Sequence, residues 1–186
     1  MMSYVCITGG IGVGKSFVCK LLQQRGIKIY DCDSAAKRLM NESLDIKERI
    51  IKAVGGDAYK DGRLNKPVVA KYLLASEKNK QLINSIVHPA VMEDFRSSGT
   101  TWMESAILYE ANLEKFVDVV VAVTAPRDVR VSRIMKRDNI SEEKAKEWID
   151  KQMSQEDVVR RADYVICNDG VNPLSEQIDF VLEKIK

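Results

Sequence analysis

Short apolar runs alternate along this chain with longer stretches in which apolar positions recur every three or four residues. "YVCIT" (4–8), "IKIY" (27–30), "WMESAIL" (102–108), "VDVVVAVT" (117–124) and "YVIC" (164–167) have the β-branched, bounded character of buried strands. A helix follows the first run from Ser16 to Gln24, and "RG" closes it with Gly26 as the cap. Strands separated by helices of this length predict a parallel sheet with right-handed crossovers. Residues 34 to about 98 carry helical patterns only, over "LDIKERIIKAV", "KPVVAKYLLA" and "KNKQLINSIV", plus one turn, "GGDAYKDGR". A second excursion, 127–161, is rich in Arg, Lys, Asp and Glu. Ser141 and Ser154 read as N-caps there, Asp157 completing an S-x-x-D box. Asn172 and Pro173 suit the N-cap and N1 positions of a last helix.

At 186 residues the chain holds one domain with a substantial core, plus room for a lid or insertion. A net charge of +2 gives no support to a general nucleic-acid or membrane binder. The apolar runs are too short to span a bilayer, and "MMSYVCITGG" lacks the regions of a signal peptide. Cys6, Cys19, Cys32 and Cys167 form no CxxC pair. Together these features predict a reduced, cytoplasmic protein without disulfides.

"ITGGIGVGKS" adds chemistry. Gly9, Gly14, Lys15 and Ser16 complete G-x-x-x-x-G-K-S between an apolar strand and a helix. Such a loop turns backbone amides around phosphate oxygens, and the helix adds its positive end. Lys15 reaches the β- and γ-phosphates, and the Ser16 hydroxyl ligates Mg²⁺. Gly10, Ile11, Gly12, Val13, Gly14 and Phe17 belong to the same ATP-binding stretch. A GTPase would carry N-K-x-D, and "NKPV" and "NKQL" fail at the fourth position. The long helical excursion favours a small-molecule kinase over a switch or a motor.

The acceptor side is expected after the second strand, in "YDCDSAAKR". Asp31 and Asp33, two apart on an extended segment, would face the same way. Either carboxylate could hold Mg²⁺ through water, and one could take a proton from an acceptor hydroxyl. Asp33 also suits an N-cap before "SAAKRLM". Arg133 and Arg137, at i and i+4, share a helix face, where they suit either phosphate oxygens or solvent. His88 precedes Pro89, which predicts an extended backbone. Glu110 follows the third strand, where it would either face the active site as an acceptor contact or cap a turn. Asn168 ends the fifth, where the nucleotide's base would lie.

"ITGGIGVGKS", "DCDSAAKR", "INSIVHPAV", "AILYEANL", "RIMKRDNIS", Gln152 and "ADYVICNDG", in this order, resemble the dephospho-CoA kinase family nearly end to end. The resemblance implies an α/β fold: the P-loop NTPase three-layer arrangement, with a five-stranded parallel sheet of order 2-3-1-4-5. It implies a core of about 1–33, 98–126 and 162–186, a helical CoA-binding region of about 34–97, and a lid of about 127–161. It implies phosphorylation of the ribose 3′-hydroxyl of dephospho-CoA, with ATP as donor and Mg²⁺ as cofactor. A monomer or small homo-oligomer is expected. Asp33 would be the base, Arg137 the lid arginine on the transferring phosphate, His88 an acceptor contact and Asn168 a neighbour of adenine. Two departures stand out. The family's P-L-L-F-E segment, usually preceded by Asp, is "ESAILYE" here, with Glu104 and Ala106. The basic residue after D-x-D falls at Lys37 or Arg38. A P-loop kinase with another acceptor and a nucleotide-dependent binding protein are the alternative classes.

Overall fold

A computed structural model describes residues 3–185. In chain order the elements are β1 (Val5–Thr8), α1 (Lys15–Gln24), β2 (Ile29–Asp31), α2 (Cys32–Glu42), α3 (Leu44–Val54), β3 (Tyr59–Lys60), β4 (Arg63–Leu64), α4 (Lys66–Ala75), α5 (Glu77–Ser97), β5 (Trp102–Glu104), β6 (Val119–Thr124), α6 (Arg127–Asp138), α7 (Glu142–Asp150), α8 (Gln155–Arg161), β7 (Tyr164–Cys167) and α9 (Leu174–Lys184). The main sheet runs β2-β5-β1-β6-β7. β3 and β4 form a separate hairpin, so counting the main-sheet strands alone gives the expected 2-3-1-4-5. The pairings of β1 with β5, β1 with β6 and β6 with β7 are parallel.

Two compact units divide the chain: 1–30 with 100–186, and 31–99. In the first, Val5 and Ile7 of β1, Val121 and Val123 of β6 and Ile166 of β7 pack with Val18 and Leu22 of α1 and Ile178 and Val181 of α9. Cys6, Met103 and Ala122 are buried as well. A strand covered on both faces reads as a continuous apolar run, which is what "VVVAV" is. In the second unit α2, α3 and α4 pack on α5, whose Ile83, Ile86, Val87, Val91, Met92 and Phe95 are buried. Arg38 of α2 pairs with Asp94 of α5 at 2.6 Å.

Several local expectations need correction. The "WMESAIL" strand stops at Glu104, because β1, its partner, ends at Thr8 and the chain there turns into the glycine loop. Ser105 makes one more bond, from its amide to Ile7 O at 3.0 Å, and residues 107–113 then close turns on themselves. Strand two begins at Ile29, since the Ile27 amide is taken by Leu22 O in closing α1. "GGDAYKDGR" is more than a turn: Asp61 and Gly62, at φ 51° and 75°, form the tip of the β3–β4 hairpin.

His88 and Pro89 are not extended but lie inside α5, which runs unbroken to Ser97. An interior proline costs ~3 kcal/mol or more. Six buried apolar side chains, at about 1.5–3 kcal/mol each, offset it. The last helix starts at Leu174, one residue late for an Asn172 cap, because the Asn172 side chain is spent on Asp169 at 2.6 Å. Ser141 and Ser154 do cap α7 and α8, and the Ser154 hydroxyl also donates to Asp157 at 2.7 Å.

Candidate phosphate-binding site

The site is built from the junction of β1 and α1. A helix start leaves four backbone amides without partners, and most helices here hide one with a side chain. Asp31, Ser43, Ser76, Ser141 and Ser154 cap α2, α3, α5, α7 and α8. α1 has no capping side chain and no carboxylate in its first turn. Its N-cap is Gly14, at φ 87°, a left-handed conformation that a side chain would strain. A Cβ there would also collide with Asn168 Nδ2. The junction therefore offers open amides and the positive end of a helix, the combination that binds anions.

The loop's outward carbonyls are held from outside. Asn168 Nδ2 donates to Val13 O at 2.8 Å. Arg133 donates to Gly12 O at 3.3 Å, to Val13 O at 3.2 Å and to the Asn168 carbonyl at 3.0 Å. Arg130 Nε donates to Ile11 O at 3.0 Å, and the Ile11 amide donates to Gln152 Oε1 at 2.7 Å. Lys15 Nζ donates to Gly9 O at 2.8 Å, and Ser16 and Phe17 are exposed beside it. Cationic and amide donors behind a glycine loop direct carbonyls away and leave the Lys15 and Ser16 end to a ligand.

Not every candidate joins this cluster. Arg133 and Asn168 are in it, but as braces on the loop's carbonyls. Asn168 is 6% exposed, and its amide continues the ladder to Thr124 O at 2.8 Å. Arg137 donates to Asp138 at 2.7 Å and its side chain is 60% exposed. Glu110 accepts from the Met153 amide at 3.4 Å.

Asp31, Asp33 and His88 belong to the 31–99 unit, and the picture of two carboxylates on one extended segment is corrected there. α2 starts at Cys32, straight off β2. Asp31 is its N-cap, accepting from the Ser34 amide at 3.0 Å and the Ser34 hydroxyl at 2.6 Å. Partial burial alone would raise the Asp31 pKa, but the Ser34 bonds, the Asp33 amide and the charge of Lys37 together outweigh it and the net shift is downward. Asp33 is left in the first turn, exposed, its carboxylate uncommitted among the described residues. His88 is half-buried, and that burial lowers its pKa. Arg38 is engaged by Asp94, leaving Lys37 as the exposed basic neighbour.

Arg130 and the contact made by Gln152 were not singled out from sequence. The spacing Arg127, Arg130, Arg133, Arg137 marks one helical face, but nothing in it shows that Arg130 alone is 5% exposed.

The residues fit a nucleotide's phosphates with Mg²⁺. The uncapped amides at the start of α1 are available to an anion, Lys15 supplies a cation and Ser16 an exposed hydroxyl. Among the described residues no group of three or more His, Cys, Asp or Glu is arranged to hold a metal. Ser16, together with the nucleotide's own oxygens, has the hard donor chemistry that such a cation takes.

A parallel sheet of this order with a glycine cradle feeding a helix, gripped from behind by arginines, defines a P-loop kinase fold. A solved shikimate kinase from Bacteroides thetaiotaomicron shares it at TM-score 0.59 and 14% identity, covering 100% of this chain and 99% of that one. More specific is the match to the dephospho-CoA kinase family model over residues 3–173. A dephospho-CoA kinase from Bacteroides fragilis (strain YCH46) is 41% identical over 179 residues, 92% of this chain and 87% of its own. A solved protein from Thermus thermophilus superimposes at TM-score 0.83 with 29% identity, covering 99% of this chain and 98% of that one. The chain belongs to the dephospho-CoA kinase family.

Proposed function

We propose that the protein transfers the γ-phosphate of ATP to the ribose 3′-hydroxyl of dephospho-CoA, giving coenzyme A and ADP. The observation that carries the donor half is the β1–α1 junction: an uncapped helix start, a glycine cradle and Lys15 in one place. Family membership carries the acceptor half.

In the transfer, the ribose oxygen forms a bond to the γ-phosphorus as the bond to the bridging ADP oxygen breaks. The hydroxyl proton goes to Asp33, the uncommitted carboxylate of the D-x-D pair. Loop amides and Lys15 hold the phosphates in line, where charge builds on the transferring group. Ser16 and the nucleotide's oxygens would hold Mg²⁺, which would supply further neutralisation of phosphate charge. Asp31, bonded to Ser34, is the less available of the two carboxylates for a water-mediated metal contact.

Arg137, released from Asp138, serves as the lid arginine on the transferring phosphate. Residues 127–161 act as the lid, and residues 34–97 as the acceptor-binding region, with His88 and Glu110 contacting dephospho-CoA. Arg133 and Asn168 border the ATP site. The protein acts in the cytoplasm as a monomer or small homo-oligomer, without nucleic-acid or membrane partners. No disulfide forms among the described residues, and none of their helices is long and apolar enough to cross a membrane.

A substrate panel tests the reading. Dephospho-CoA, adenosine, AMP and pantetheine are supplied separately with Mg-ATP, and ADP release is followed. Dephospho-CoA is expected to exceed the others by a wide margin. Brisk transfer to another acceptor, with none to dephospho-CoA, would overturn the acceptor assignment and leave a P-loop kinase.

A further inference from the structure

Ile11 lies in the phosphate loop, and both of its main-chain polar groups are held by side chains from more than a hundred residues away. Its amide donates to Gln152 Oε1 at 2.7 Å, and its carbonyl accepts from Arg130 Nε at 3.0 Å. The two partners come from separate places. Arg130 is on α6, and Gln152 sits in the connection between α7 and α8. The same connection also reaches residue 110, through the Met153 amide and Glu110.

The grip is close and specific. A Cβ on Gly10 would come within 2.6 Å of Arg130 Nη2 and 3.1 Å of Gln152 Oε1. Glycine at position 10 is what admits both side chains. Arg130 is 5% exposed, an unusual place for an arginine, which is seldom buried unless its donors are used. Packing alone would be served better by an apolar residue on that face of α6.

Two bonds on one residue fix two adjacent peptide planes, that of 10–11 through the amide and that of 11–12 through the carbonyl. One bond would leave the neighbouring plane able to rotate. Orientation matters because a phosphate cradle works through amide dipoles set before the ligand arrives. The Ile11 amide is itself committed to Gln152, so its service to the cradle is to fix the loop.

We infer that Arg130 and Gln152 are positioning residues for phosphoryl transfer, locking the Ile11 peptides so that the donor nucleotide meets a pre-shaped loop. The inference rests on reading residues 9–16 as the nucleotide's phosphate cradle. Neither side chain touches the reacting atoms. Each acts through the loop backbone, and Gln152 ties the α7–α8 connection to it.

The test uses the full chain and two conservative variants. Gln152→Met keeps length and stem but removes the acceptor. Arg130→Lys keeps the charge but loses Nε. Each is expected to raise KM for ATP about tenfold, the equivalent of one net hydrogen bond. KM for dephospho-CoA should stay within about twofold and Tm within about 2 °C. In the double variant the effects should combine to less than their product, since both bonds serve one residue. In a ¹⁵N-resolved spectrum the Ile11 amide should move in Gln152→Met. An unchanged KM for ATP with a displaced Ile11 amide would overturn the inference. So would parallel losses in both KM values and Tm, which mark a role in folding only. Failure of the unmodified protein to use ATP would instead strike the cradle reading, and shows before any variant is made.

Discussion

The β1–α1 and β2–α2 junctions are built in opposite ways. Where β1 becomes α1, six residues of glycine-rich loop intervene, the helix has no side-chain cap, and its first turn holds no carboxylate. Where β2 becomes α2 nothing intervenes. Asp31 caps the helix through Ser34, and Asp33 adds a second carboxylate in the first turn. The first junction keeps its amides for a ligand and is braced by Arg130, Arg133, Gln152 and Asn168. The second satisfies its amides internally and presents a spare negative charge. On the proposed reading, anion binding and proton acceptance come from the same local geometry, separated by what fills the helix's first turn.

The largest expected effect lies at the first junction. Lys15→Ala removes the cation among the phosphates and should lower turnover by roughly a thousandfold or more. The fold should survive, because the hydrophobic core beneath the loop is untouched. Normal activity in a folded variant would mean the cradle holds no transferring phosphate.

Next comes Asp33→Asn at the second junction. The N-cap is Asp31, so the substitution leaves the cap in place and removes only charge. Turnover should fall by about a hundredfold while ATP binding changes little. If turnover and ATP affinity fell together, Asp33 would belong with the donor rather than the acceptor.

Asp31→Ala sharpens the contrast from the other side. It should cost about 1 kcal/mol of stability, as loss of a cap does, with kcat largely kept. Denaturant unfolding measures the first and steady-state assay the second. The lowered pKa of Asp31 also sets a sign. Its contribution is present above the ordinary carboxylate value and is lost as pH falls below that value and through the lowered pKa of the folded state.

A smaller effect involves His88. Burial lowers its pKa, so the folded state binds fewer protons than the unfolded chain just below the ordinary value of 6.5. Stability should therefore decline as pH falls below that value, and His88→Gln should flatten the decline. An unchanged slope would show His88 titrating as it does in the unfolded chain.

Local signals carried much of this structure and failed where long-range contacts decide. α3 and α4 were legible to the residue, since Ser43 and Gly55 bound one and Pro67 opens the other. The cradle was legible because its motif is contiguous. The extent of β5 was not, because it depends on where β1 stops. The helix through Pro89 was not, because buried side chains override a local backbone preference. The D-x-D pair was read with its cap exchanged, Asp33 for Asp31, since alternation assumed a longer strand. The bracing by Arg130 and Gln152 spans 119 and 141 residues of sequence, a separation at which a single sequence gives no pairing signal.

The most direct measurement of the central claim is product analysis. Dephospho-CoA is incubated with Mg-ATP and the protein, and the product is resolved by mass and by ³¹P NMR. One added phosphate is expected, on the ribose 3′-oxygen, with one ADP formed per phosphate transferred. A phosphate elsewhere on the molecule, or ADP and inorganic phosphate with dephospho-CoA unchanged, would contradict it.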